Sequence, residues 1–229
     1  LTKKKVSAAG DGRFLDAAGR LFKQQGFEAT TVRQIAKAAG MLPGSLHYRY
    51  PTKDSLLLAL MRRGVEADTA CIREAIGASR DPMERLHLAL RARVRYLLSR
   101  DSASVILFDW RSLKGAAREE MIRQRDAYEA FWIGLINEAA GAGRLRPGLD
   151  LKLLRLLVFG AVNWVALWYS PRGERSPEEI ADAFWGFIAF GVFDDAHRPA
   201  DVKSALRELS ALEPWGPRRL QGGLREGRK

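Results

Sequence analysis

Within residues 30–53, TTVRQIAKAAGMLPGSLHYRYPTK, stand Arg33, the small and polar pair Gly44 and Ser45, the succession His47, Tyr48 and Arg49, and Lys53. Such side chains do not break bonds at this spacing. They donate hydrogen bonds to anionic oxygens and to the edges of bases. A guanidinium can donate two bonds at once to guanine O6 and N7, which makes Arg33 the best candidate for reading a base. Hydroxyl, imidazole and ammonium groups serve phosphates and fix register, the role assigned to Thr31, Ser45, His47 and Lys53. Leu42, Pro43 and Gly44 allow a close approach and can touch a thymine methyl. Tyr48 reads either as a groove contact or as packing.

These groups need two short helices and a tight turn to present them. Thr31 caps the first helix, with Gln34 at the capping-box position. Val32, Ile35, Ala36 and Ala39 then share one face at helical spacing. Gly40 follows, where a left-handed residue is cheapest for glycine. Pro43 opens the second helix at the position where its missing N–H costs nothing. Leu46 and Tyr50 face inward, and Pro51 stops the helix because the residue before a proline avoids the α region. Two helices joined by such a turn form a helix-turn-helix, and its partner is double-stranded DNA.

Charge supports the same partner. The 229-residue chain carries a formal net charge of +11. Residues 1–60 contain ten lysines and arginines against four acids, so about half of the excess lies there. Lys3, Lys4 and Lys5 read either as a minor-groove arm or as a solvated end. The opening residue, Leu1, implies an altered or missing natural N-terminus, and no apolar run follows the lysines as a signal peptide requires. One cysteine, Cys71, permits no internal disulfide and points to a reducing cytoplasm. The apolar run 153–169 contains Arg155 and Asn163, which favours a buried helix over a membrane span.

Residues 13–60 resemble the DNA-binding domain of TetR-family transcriptional regulators. The resemblance rests on Ala17-Ala18, Leu21-Phe22, Gly26-Phe27, Thr30-Thr31-Val32, Ile35-Ala36, Ala39-Gly40, Gly44-Ser45-Leu46 and Lys53. Leu42 departs from it where a capping serine is common, and His47 where tyrosine is common. The resemblance places base or groove contacts at Arg33, Tyr48 and Arg49. It implies an all-α fold: three DNA-binding helices, then a larger effector-binding and dimerisation domain. The expected division is 1–52, 53–212 and a basic tail at 213–229. Repression is the family's default.

Helical periodicity predicts further helices near 53–78, 82–99, 102–111, 116–140, 150–169 and 176–192, with a short one near 202–212. That makes nine or ten in all, and no strand pattern is present. One recognition helix covers few bases, so a homodimer on a palindrome is expected, with two such helices about 34–36 Å apart. Gly160, Ala161, Phe184, Trp185 and Phe187 are expected at the dimer surface, or else in a monomer core. An effector cavity is expected between Tyr96, Phe108, Trp110, Phe131, Trp132, Asn163, Trp164 and Trp168. Asn163, a polar residue within an apolar helix, must find a ligand, a neighbouring helix or the other subunit. The segment 160–176, GAVNWVALWYSPRGERS, is similar to that of TetR-like regulators answering to acyl-CoA thioesters. Arg91, Arg93, Arg95, Arg111, Arg155 and Arg172 then become possible phosphate partners.

Enzymatic readings find little to stand on. His47, His87 and His197 lie far apart and lack metal-ligand spacing with Cys71. No P-loop, dinucleotide fingerprint or nucleophile elbow is present. No metal and no cofactor is expected. The alternatives are a constitutive architectural DNA-binder without effector and an enzyme acting on a thioester.

Overall fold

The computed structural model describes residues 8–99 and 112–193. These form eight helices: α1 Ala8–Gln25, α2 Val32–Ala38, α3 Pro43–Arg49, α4 Lys53–Ile76, α5 Pro82–Leu98, α6 Gly115–Gly141, α7 Leu151–Trp168 and α8 Pro177–Val192. Among the described residues there is no strand, only an isolated antiparallel bridge between Leu145 and Phe193. The expected helices at 102–111 and 202–212 lie outside the described residues. So do Phe108, Trp110, Arg111, His197, the three N-terminal lysines and the tail.

Local signals set the helix starts. Thr31 accepts from Gln34 N, and its own N–H donates to Gln34 Oε1 at 2.8 Å, so α2 opens on a capping box. Thr52 and Ser55 do the same for α4, and Ser176 and Glu179 for α8. Single aspartates, Asp81 and Asp150, cap α5 and α7. Gly40 takes φ +65° after α2. Its N–H bonds Lys37 O while Met41 N bonds Ala36 O, the two-bond closure that a left-handed residue permits.

The head is built around Phe14, Ala18 and Phe22 of α1, Ile35 of α2, Leu46 of α3 and Leu56, Leu57 and Leu60 of α4. Leu46 is fully buried at this junction. We expect Leu46→Ala to cost about 2–5 kcal/mol, measured as lost head stability in denaturant, with DNA binding lost in step.

The same cluster continues through Met61 to Leu113 and to Met121 of α6. A boundary at residue 52 therefore cuts through one continuous core, because the first turns of α4 complete the head. Beyond it, α5 packs between α4 and α8, with Leu90, Val94 and Leu97 against Val162, Val165, Ile180 and Ala181.

Candidate DNA interface and effector cavity

Most of the residues expected to contact DNA are exposed in the head. Arg33, Leu42, Pro43, Gly44, Ser45, His47 and Tyr48 are all exposed, while Leu46 between them is buried. Tyr48 is 83% exposed, so packing does not account for it. Leu42, at 76%, gives α3 no side-chain cap, and Pro43 starts the helix alone. Arg49 is half-buried. Two of the supposed phosphate ligands have internal work. The Thr31 hydroxyl caps α2. Lys53 Nζ donates to Phe27 O (2.9 Å) and Glu28 O (3.1 Å) and lies 4.3 Å from the Phe27 ring centroid. Lys53 thus pins the start of α4 to the loop after α1.

A second exposed surface runs along α7. Leu153, Leu156, Leu157, Gly160, Ala161, Trp164, Leu167 and Trp168 recur at three- and four-residue spacing and are all exposed. Phe187 of α8 is also exposed. The expectation of a buried α7 is corrected here. The helix is long and apolar enough to cross a membrane, but only 17% of it is buried. Its inner side carries Arg155, Val162 and Val165. Trp164 and Trp168, expected on the cavity wall, instead share the outer stripe with Gly160 and Ala161, because residues four apart on a helix face the same way. Phe184 and Trp185, expected on the dimer surface, pack inward. Trp185 stacks on His87 with ring centroids 4.9 Å apart, and His87 Nε2 lies 2.7 Å from Asp182 Oδ1.

The larger cavity, about 210 Å³, lies between α4, α5, α6 and α7. Met61, Val65, Leu97, Met121, Ile122 and Phe159 give it apolar walls, and Tyr96 and Asn163 line it as expected. Phe131 and Trp132 do not. Phe131 sits under Arg73, 5.5 Å from its ring centroid, and Trp132 belongs to a smaller neighbouring cavity of about 50 Å³.

A polar network closes one side of the larger cavity. Arg93 Nη1 donates to Asp68 Oδ2 at 2.6 Å, and Tyr128 Oη donates to the same oxygen at 2.6 Å. Arg93 Nη2 donates to Asn163 Oδ1 at 3.0 Å. Of the partners open to Asn163, the neighbouring helix α5 supplies this one. Burial pushes the Asp68 carboxyl above its ordinary value, against the Arg93 charge and the two hydrogen bonds. Burial pulls Arg93 down, but Tyr128 and Asp68 more than reverse it, so its proton is retained. Burial, with the Asp68 charge added, pushes the Tyr96 phenol up to about 12, leaving a neutral donor on the wall. Arg155 Nη1 pairs with Glu129 Oε2 at 2.8 Å, and Arg91 lies 3.3 Å from Asp182. Arg91, Arg93 and Arg155, considered for phosphates, are thus engaged with acids of the bundle; Arg95 and Arg172 are exposed.

Asp68, Tyr128, Met61 and Met121 were not singled out from the sequence. Asp68 left a readable signal. It interrupts the apolar stripe Leu57, Met61, Val65, Ile72 at helical spacing, as Asn163 does in α7.

Comparisons with known proteins bear on both sites. The model of bacterial regulatory proteins of the tetR family matches residues 14–60, and the tetracyclin repressor-like C-terminal domain matches residues 79–192. The HTH-type transcriptional repressor KstR2 of Mycobacterium tuberculosis is 26% identical over 185 residues, 79% of this chain and 92% of that protein. A second repressor from that organism, Rv1474c, is 32% identical over 158 residues, 66% of this chain and 81% of its own length. The crystal structure of AibR in complex with isovaleryl coenzyme A and operator DNA superposes with a TM-score of 0.70 at 26% identity, covering 78% of this chain and 97% of AibR. With a helix-turn-helix head continuous with a hollow helical bundle, this chain belongs to the TetR family of bacterial transcriptional regulators.

Proposed function

We propose that this chain is a ligand-responsive repressor that binds a palindromic operator as a homodimer in the cytoplasm. A small hydrophobic effector of the acyl-CoA class, seated in the larger cavity, releases it. One observation carries the coupling. Met61 and Met121 line the cavity and also belong to the core cluster that holds the DNA-binding head. A ligand that displaces these side chains bears directly on α4, the helix that fixes the head. An effector need only favour one head orientation over another by its differential contacts. The apolar outer stripe of α7 supplies a surface for a second copy, and two heads are what a palindrome requires. The AibR complex supports the effector class by likeness, and the apolar walls suit an acyl group.

The test is titration of an acyl-CoA series against the complex with an inverted-repeat duplex selected from a random pool. Release at micromolar effector with no thioester turnover is expected. Binding that no member of the series alters would leave a constitutive DNA-binder. Steady consumption of thioester would favour an enzyme.

The head carries its own prediction. Arg33→Ala should cost about 1–3 kcal/mol on the selected duplex and relax preference at one base pair of each half-site. Equal weakening on every duplex would move Arg33 to the phosphates. Affinity should fall with salt at a log–log slope of about −0.9 per phosphate neutralised, so a flat response would contradict electrostatic docking.

A further inference from the structure

The two cavities share two wall residues, Arg155 and Phe159, one turn apart on α7. The smaller cavity is lined by hydrocarbon and aromatic side chains apart from Arg155. Arg155 is held in place by Glu129 at 2.8 Å. The Phe159 side chain makes no hydrogen bond, and its ring centroid lies 6.0 Å from the Arg155 guanidinium carbon. Its ring meets Trp132 edge-on at 5.4 Å and Tyr128 at 6.0 Å, contacts worth little individually and open to repacking. The barrier between the two spaces is therefore one fixed charged side chain and one ring held by packing and by the approach of that cation to its face.

We infer that Phe159 sets the length of the effector's hydrocarbon chain, by closing the larger cavity against the smaller apolar one behind it. This rests on the effector reading above. The effector class is a saturated straight acyl group short enough to end at the ring. Each methylene placed against apolar walls raises affinity about fourfold. Affinity should therefore climb with chain length, then stop climbing where the chain meets Phe159. With the ring shortened, the climb continues into the second cavity.

The experiment uses the full chain and two probe series, straight-chain saturated acyl-CoAs from four to sixteen carbons and the free fatty acids of the same lengths. Dissociation constants are measured for the wild type, Phe159→Ala and the milder Phe159→Leu. The expected result is a break in the wild-type length profile that Phe159→Ala moves outward by about two carbons or more. That amounts to about sixteenfold tighter binding beyond the original break; Phe159→Leu should move it less. Equal weakening of every length in both variants would overturn the proposal, since Phe159 would then be only a packing residue. Absence of binding of either series to any of the three proteins would overturn it as well. If the free acids bind and their break moves while no CoA ester binds, the gate stands and the coenzyme A part of the effector reading fails.

Discussion

Replacing Asp68 by alanine should destabilise the helical bundle by about 3–5 kcal/mol, the largest single-residue loss expected in this chain. The side chain is 2% exposed and receives Arg93 at 2.6 Å and Tyr128 at 2.6 Å. Its removal strands a buried guanidinium and a buried phenol together. Urea denaturation of the variant measures the loss. The double substitution Asp68→Leu with Arg93→Met should recover most of it, because removing both charges is far cheaper than orphaning one. A loss below about 1 kcal/mol would mean that water reaches this network. The pH dependence has a definite sign. The folded value of Asp68 lies above its ordinary 3.8, so the folded chain takes up this proton before the unfolded one on acidification. The part of the stability linked to this proton is complete below the unfolded value and is lost as pH rises through the folded one, while the cost of orphaning Arg93 and Tyr128 is separate from it. Relative to Asp68→Asn, the wild type should gain stability as pH falls through that window.

The second large effect concerns assembly. Leu157 and Trp164, one helical repeat apart on α7, are 71% and 63% exposed in the single chain. If a second copy covers them, Trp164→Ala should weaken the dimer by about 2–4 kcal/mol, the range of a central aromatic anchor. Leu157→Arg should prevent it, since each subunit would bury an unpaired charge. Analytical ultracentrifugation reads the assembly directly. Operator affinity should fall with it, while binding of one head to a half-site should survive. Unchanged sedimentation in both variants would send the dimer surface elsewhere.

The head was legible from the sequence because its signals are local. Capping residues, a turn glycine and an N1 proline act within a few positions, and the exposed or buried character of residues 42–48 follows from helical spacing once Leu46 is inside. The C-terminal bundle was legible as helices but less so as a site. Trp164 and Trp168 looked like cavity wall because aromatic residues suit both a pocket and an interface. Trp185 looked like interface for the same reason, yet it packs on His87. Periodicity says that residues share a face; it does not say which neighbour that face meets.

The sequence alone determined the all-α class, the helix-turn-helix, its polarity toward DNA and the family resemblance, since all four depend on short-range chemistry. Tertiary structure alone decided that α4 serves both head and bundle, that Asp68, Arg93, Tyr128 and Asn163 meet, and that Met61 and Met121 join cavity to head. The direct contacts in that network link residues up to 70 positions apart, as between Arg93 and Asn163. Only the packing angles of whole helices fix them, and no spacing rule along one helix carries that information.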